Sequence, residues 1–82
     1  MEFRYSYKAA DDLRVLPRAV QERIAKKMRF FAAQEDPLKF AKRLTDSREG
    51  EFRFRIGEYR IFVDVGGDTV FVLRIKLRGK SY

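Results

Sequence analysis

The sequence contains no cysteine and no histidine. Without cysteine the chain can form no disulfide, no thiolate metal site and no cysteine nucleophile, which fits a reducing cytoplasm. Without histidine it lacks the commonest general acid and base, the commonest zinc ligand and the Ser-His pair of many hydrolases. Any catalysis must therefore use Arg, Lys, Tyr, Asp or Glu, and we expect no metal and no small-molecule cofactor.

Long apolar runs are also missing. None approaches the roughly 20 residues that a membrane-spanning helix needs, and the start Met-Glu-Phe-Arg-Tyr lacks the apolar core of a signal peptide. We therefore expect a cytoplasmic protein without a membrane partner. The length of 82 residues predicts one compact domain over residues 1–82.

Positive charge is what the sequence has in excess. Nineteen Lys and Arg residues against twelve Asp and Glu residues give a net charge of +7. Such an excess on a small domain favours a polyanionic partner, above all nucleic acid. The alternative is that the charge serves only solubility.

The first half of the chain has the pattern of a strand followed by two helices. Residues 2–7 alternate as a half-buried strand does, and Ser6 can cap a helix that ends near Pro17. Glu22 and Lys26 have the spacing of an exposed ion pair on the second helix. The apolar residues of that helix recur at helical spacing and predict its buried face: Val20, Ile24, Met28 and Phe31.

The second half has the pattern of a strand meander. Asp36-Pro37 ends the second helix before a short turn at residues 38–44. Three strands follow, at Phe52–Ile56, Tyr59–Val65 and Thr69–Leu77. The order β-α-α-β-β-β predicts an α+β single domain with two N-terminal helices packed on one face of a small twisted antiparallel sheet.

Arginines alternate with apolar residues on the predicted hairpin. If Gly57-Glu58 is a two-residue loop, Arg53, Arg55 and Arg60 share one face of the sheet and the apolar residues form the core on the other. Directly opposed arginines repel one another. A phosphate bound between them would compensate; the alternative is a solvated exposed face.

The register of the last strand depends on the loop before it. A three-residue loop at residues 66–68 would place Phe71, Leu73 and Ile75 in the core, and Arg74, Lys76 and Arg78 on the basic face. A two-residue loop would reverse this. We expect the three-residue loop because it buries the larger apolar set.

Two segments carry a family resemblance. The hairpin Phe54-Arg-Ile-Gly-Glu-Tyr-Arg-Ile-Phe62 and the ending Arg74-Ile-Lys-Leu-Arg-Gly-Lys-Ser-Tyr82 resemble the signature of the RelE/ParE toxin superfamily, especially its archaeal RelE-like members. The resemblance implies a toxin of a type II toxin–antitoxin system. It further implies a metal-independent endoribonuclease that binds the ribosome and its 16S rRNA, cleaves mRNA in the A site by 2′-OH attack, and is inhibited by a cognate antitoxin protein.

The resemblance also implies roles for individual residues. The catalytic set falls on Arg55, Arg60, Arg78 and Tyr82. Arg53 also falls on a basic position of the family, and we expect it to bind RNA together with Arg74, Lys76 and Lys80. Leu77 stands where many members have a histidine, so the general base stays open among Tyr82, Glu51, Glu58 and a group of the ribosome.

Two other functions remain compatible with these residues. A ParE-like member of the same fold would inhibit DNA gyrase without being an enzyme. A catalytically degenerate RelE homologue would bind its antitoxin or RNA without cutting.

Overall fold

The structure is a computed structural model that describes residues 1–45 and 48–79. The regular elements, in chain order, are β1 (Glu2–Tyr5), α1 (Tyr7–Arg14), α2 (Arg18–Ala32), a short 3₁₀ helix (Pro37–Phe40), β2 (Lys42–Arg43), β3 (Phe52–Ile56), β4 (Tyr59–Gly66) and β5 (Thr69–Leu77). The predicted α+β class, with two helices packed against one sheet, is confirmed. Within the described residues, no helix is both long enough and apolar enough to cross a membrane.

The sheet has five strands in the order β1-β5-β4-β3-β2. The meander β3-β4-β5 is antiparallel, as the pattern predicts. Two features add to the prediction: β1 pairs with β5 in parallel, and the two-residue strand β2 pairs with the start of β3. The sheet is therefore mixed, and β5 lies between the first strand and the fourth.

The core lies between the helices and one face of the sheet. On α2 the predicted residues Ile24, Met28 and Phe31 are buried, and Val20 packs against them. The sheet contributes Phe54, Ile56, Ile61, Val63, Val70, Val72 and Ile75. The rings of Phe31 and Phe54 stack with their centroids 4.6 Å apart, and this contact fixes α2 over the middle of β3.

The loop before β5 corrects the predicted register. Gly66 pairs with Thr69, so the loop has two residues instead of three. As a result Val70 and Val72 are fully buried, whereas Phe71 is 41% exposed. The expectation that Phe71 belongs to the core was wrong.

A β-bulge at Leu73 then restores the predicted register for the rest of β5. Val63 pairs with Val72 and Phe62 pairs with Arg74, so Leu73 has no partner on β4. Beyond the bulge Ile75 is buried, as expected. The bulge shifts the alternation of buried and exposed side chains by one residue. As a result β5 buries the even-numbered Val70 and Val72 before the bulge and the odd-numbered Ile75 after it.

Helix α1 begins where the pairing of β1 with β5 stops. Ser6 caps the helix as predicted, because its side chain accepts a hydrogen bond of 3.0 Å from the Ala9 backbone N–H. Ser6 also donates to β5, from its backbone N–H to the Val72 carbonyl and from its hydroxyl to the Leu73 carbonyl, both at 2.9 Å. These bonds hold α1 along the exposed edge of β5.

Candidate nucleic-acid interface

Cations cover the face of the sheet that is turned away from the helices. Paired residues on neighbouring strands point to the same face, so two rows form across the sheet. The first row is Lys42, Arg53, Phe62 and Arg74, and the second is Arg55, Arg60 and Lys76. We call the six basic residues of these rows the cationic face.

The hairpin β3-β4 has the predicted register. Gly57-Glu58 forms the two-residue loop, and Arg55 lies directly opposite Arg60. Among the described residues, no ion pair compensates Arg53, Arg55 or Arg60. Three arginines therefore carry uncompensated charge close together on one face.

Phe62 lies in the middle of the cationic face. Its ring is only 5% exposed, although it does not belong to the core beneath the helices. The Lys76 ammonium lies 5.9 Å from the ring centroid and also forms an ion pair with Glu49. The apolar ring lowers the local dielectric and so strengthens electrostatic interactions around it.

The segment before β3 runs close to β4. A Cβ atom on Gly50 would lie 2.8 Å from the Val63 carbonyl oxygen, so no larger residue fits there without a backbone shift. This close approach carries Glu49 to Lys76. Sequence reasoning missed Glu49, because nothing in a polar loop indicates which strand its side chain will reach.

Arg74 is held by α1. Its Nε and Nη2 atoms donate to the Asp12 carboxylate at 2.8 and 3.1 Å, and the Ile75 backbone N–H donates to the same carboxylate at 2.9 Å. Because β1 pairs with β5 only as far as Val72, the Ile75 N–H has no partner on β1, and Asp12 accepts its hydrogen bond instead. Arg74 is fixed and largely compensated, in contrast to the arginines of β3 and β4.

The pKa of Asp12 reflects this environment. Burial alone would raise its pKa, but the hydrogen bonds from Arg74 and Ile75 and the charges of Arg74 and Lys76 outweigh burial and lower it. The hydrogen bond to Asp12 in turn raises the pKa of the Arg74 guanidinium. The pair is therefore ionised at neutral pH.

Arg78 lies beyond the end of β5, next to the turn of the β3-β4 hairpin. Its backbone N–H donates to the Glu58 carbonyl at 2.6 Å, and its side chain is exposed. This places Arg78 at the same end of the sheet as Arg55 and Arg60. The other two residues predicted for this end, Lys80 and Tyr82, lie outside the described residues.

The carboxylates proposed as bases differ in their surroundings. Glu51 accepts a hydrogen bond of 2.9 Å from the Val65 backbone N–H, so one of its oxygens is engaged in the fold. Glu58 is exposed in the hairpin turn. Glu49, at Lys76, is a further carboxylate beside the cationic face.

Two other residues near the site were missed from the sequence. Lys42 joins the cationic face through β2, whose two residues are too few to show a strand pattern. The contact of Asp12 with Arg74 joins residues 62 positions apart, and no sequence pattern indicates such a pair. Within residues 1–45 and 48–79, no cluster of three or more acidic side chains has the arrangement of a metal site.

Comparison with known proteins gives the family. Residues 3–82 match the family model described as ParE toxin of type II toxin-antitoxin system, parDE. Among solved structures, the toxin–antitoxin complex RelBE2 from Mycobacterium tuberculosis contains a similar chain, with 28% identity, 94% of this chain and 96% of that chain covered, and a TM-score of 0.77. The comparison with curated proteins gave no significant match.

Two archaeal structures show the same fold at lower identity. The RelE-RelB complex from Pyrococcus horikoshii OT3 matches with 22% identity, 98% and 97% coverage of the two chains, and a TM-score of 0.74. The RelB-RelE antitoxin–toxin complex from Methanococcus jannaschii matches with 23% identity, 90% and 88% coverage, and a TM-score of 0.65. Since the family model spans nearly the whole chain and the similar chains share its fold, this protein belongs to the RelE/ParE superfamily and is a toxin of a type II toxin–antitoxin system.

Proposed function

We propose that this toxin is a RelE-type endoribonuclease that cleaves mRNA in the A site of the ribosome. The observation that carries the proposal is the group of uncompensated arginines on the cationic face, Arg53, Arg55 and Arg60. Guanidinium groups bind phosphate oxygens through paired hydrogen bonds. An exposed face with several of them suits an RNA backbone better than it suits a flat protein surface.

The arginines are suited to charge stabilisation and not to proton transfer. Attack of the ribose 2′-oxygen on the adjacent phosphorus gives a pentacovalent transition state with more negative charge on its oxygens than the ground state has. Arg55 and Arg60, directly opposite one another, and Arg78 at the same end of the sheet would stabilise that charge. Since arginine stays protonated, with a pKa above about 12, none of them is a good proton acceptor.

The proton of the 2′-OH must pass to another group. As the P–O bond to the 2′-oxygen forms, the bond to the 5′-oxygen breaks, leaving a 2′,3′-cyclic phosphate and a 5′-OH that takes up a proton. Tyr82, Glu58 and a ribosomal group remain candidates for the base, and the structure adds Glu49 beside the cationic face. Glu51 and Glu49 each have a carboxylate that is already engaged, with the Val65 N–H and with the Lys76 ammonium respectively, whereas Glu58 is exposed in the hairpin turn.

The proposal includes the partners and the remaining RNA contacts. Arg53, Arg74, Lys76 and Lys80 would contact the backbone around the cleaved bond, with Arg74 held in place by Asp12. The ribosome with its 16S rRNA and the mRNA are the partners in cleavage, which places the reaction in the cytoplasm. The similar solved structures are toxin–antitoxin complexes, and this supports a cognate antitoxin that inhibits the toxin.

A ParE-like, non-enzymatic function is the second candidate, because the matching family model is that of ParE toxins. Such a toxin would inhibit DNA gyrase and would not need converging arginines for chemistry. A catalytically degenerate RelE homologue would use the cationic face only to bind antitoxin or RNA and would not cleave.

Primer extension on a defined message in a translating extract distinguishes these functions. We expect new 5′ ends at A-site codons that require ribosomes, persist in the control Arg18→Ala and disappear in Arg60→Ala. Arg18 is an exposed cation at the start of α2, away from the cationic face. Growth arrest with inhibited supercoiling and no cuts would indicate the ParE-like function, and neither effect would indicate the degenerate homologue.

A further inference from the structure

A second basic groove lies between α2 and the turn of the β3-β4 hairpin. It has a volume of about 570 Å³. Four cations, one aromatic ring and the turn glycine define what we call the helix–hairpin groove: Arg23, Lys26, Lys27, Phe30, Arg55 and Gly57. The short strand β2 pairs only with Phe52 and Arg53, so no described strand covers the edge of β3 beside this groove.

The α2 residues of the groove form one stripe of the helix. Arg23, Lys26, Lys27 and Phe30 follow the i, i+3, i+4, i+7 spacing that places side chains on a common face. Like charges at this spacing destabilise a helix. The ion pair predicted between Glu22 and Lys26, which would relieve the repulsion, does not form.

The charge of the groove is uncompensated within the described part of the chain. No ion pair there involves Arg23, Lys26, Lys27 or Arg55. Three α2 cations and Arg55 at the sheet edge thus line one concavity, although exposed cations in the same protein, such as Arg14, do have an acidic partner. A polyanion in the groove would remove the repulsion between them.

The groove is continuous with the cationic face. Arg55 belongs to both, since it lies opposite Arg60 on the sheet and also lines the groove. At the turn, Gly57 has a φ of 57°, and a Cβ atom there would lie 2.8 Å from Nη2 of Arg23. The glycine therefore lets the guanidinium of α2 approach the hairpin, so that one row of cations leads from the sheet to the helix.

An aromatic surface lies beside the cations. Phe30 is 46% exposed and Phe40 is 47% exposed, with their rings edge to face at 5.6 Å. The Lys27 ammonium lies 5.1 Å from the centre of the Phe30 ring. Basic side chains next to exposed rings suit single-stranded RNA, because phosphates bind to the cations and a base can stack on a ring.

We propose that the helix–hairpin groove is a second RNA-binding site, which holds single-stranded RNA flanking the segment on the cationic face. The inference rests on the proposed function in one respect: the RNA bound in the groove is the continuation of the RNA bound on the cationic face. Binding in the groove does not depend on cleavage. The chemistry recognised is the phosphate backbone of RNA, from either the message or the ribosome.

The test compares two double variants that lose the same charge. Arg23→Ala with Lys27→Ala changes the groove, and Lys8→Ala with Arg18→Ala removes two exposed helix cations outside it. The probe is a short fluorescent 2′-O-methyl RNA, which cannot be cleaved by 2′-OH attack. Fluorescence anisotropy measures its affinity at several salt concentrations.

We expect the groove variant to lose at least about tenfold in affinity, while the control changes by about twofold or less. The slope of log affinity against log salt should fall by about 1.4 in the groove variant, because each phosphate contact with a single strand contributes ~0.7. Isolated small ribosomal subunits serve as a second probe. The isolated subunits carry no message, so loss with the short RNA alone assigns the groove to the message, and loss with the subunits shows a contact with ribosomal RNA.

Three results would overturn the inference. Equal losses in the two variants would mean that only net charge matters, and unchanged binding of both probes would exclude a contact. Unchanged RNA binding together with weaker binding of the antitoxin would assign the groove to an acidic protein segment. Thermal unfolding checks that both variants are folded at the temperature of the binding assay.

The outcome is independent of the nuclease assay. If the groove variant loses RNA affinity while no message is cut, the second site stands and the proposed function fails. If messages are cut and the groove variant binds RNA as the control does, the proposed function stands and the second site fails.

Discussion

The contact of Asp12 with the edge of β5 makes a quantitative prediction about stability. Substitution of Asp12 by Ala leaves the Ile75 backbone N–H without its acceptor, which costs about 1–3 kcal/mol. Loss of the ion pair adds at most about 1 kcal/mol, because the Arg74 side chain is 38% exposed and screened by solvent. We therefore expect the free energy of unfolding to fall by about 1–4 kcal/mol.

Asp11 provides the matched control for this substitution. It lies on the same helix, and its ion pair with Arg14 joins side chains that are 61% and 74% exposed. Asp11→Ala should change the free energy of unfolding by less than about 1 kcal/mol. Urea denaturation followed by circular dichroism measures the free energy of unfolding of both variants. In a thermal scan, Asp12→Ala should melt below wild type by about 4–8 °C for each kcal/mol lost.

The lowered pKa of Asp12 adds a pH dependence. A group with a depressed pKa in the folded state contributes stability above its unfolded pKa, and this contribution is lost as pH falls through the folded value. The difference in stability between wild type and Asp12→Asn should therefore be full near neutral pH and shrink below about pH 4. Equal destabilisation by Asp11→Ala and Asp12→Ala, or a difference that does not change with pH, would refute the role assigned to Asp12.

Three further predictions concern the core and the segment beside the cationic face. Phe54→Ala should cost about 3–5 kcal/mol in urea denaturation, because the ring is fully buried, and a loss under about 1 kcal/mol would contradict its place in the core. Gly50→Ala should cost about 1–3 kcal/mol in the same assay, since its Cβ would clash with the Val63 carbonyl; wild-type stability would contradict that approach. Glu49→Gln should strengthen binding of the 2′-O-methyl RNA severalfold by freeing Lys76, and should slow cleavage if Glu49 takes the proton; weaker RNA binding would contradict its place beside the face.

Much of the fold follows from short-range patterns in the sequence. The spacing of Ile24, Met28 and Phe31 fixes the buried side of α2, because helical periodicity is a property of neighbouring residues. The facing pair Arg55 and Arg60 follows from the two-residue loop between their strands, since loop length sets register in a hairpin. Both were therefore predictable without knowledge of the rest of the chain.

Features that depend on distant partners were not predictable in this way. The register of a two-residue loop holds before the bulge at Leu73, where Val70 and Val72 are buried. The register of a three-residue loop holds after it, where Ile75 is buried. The alternation of apolar and polar residues does not show where a bulge inserts an extra residue. The ion pair of Lys76 with Glu49 likewise depends on how a polar loop folds back over 27 residues of sequence.

The position of β5 has a consequence for how the toxin comes into existence. The last strand in the sequence is inserted between β1 and β4, and α1 is anchored to it through contacts that span more than 60 residues of sequence. Until β5 has been synthesised, a nascent chain therefore has neither the complete sheet nor the complete cationic face. Since non-local contacts of this kind are slow to form, the sheet and its cationic face are completed only after the last strand has left the ribosome and paired between β1 and β4.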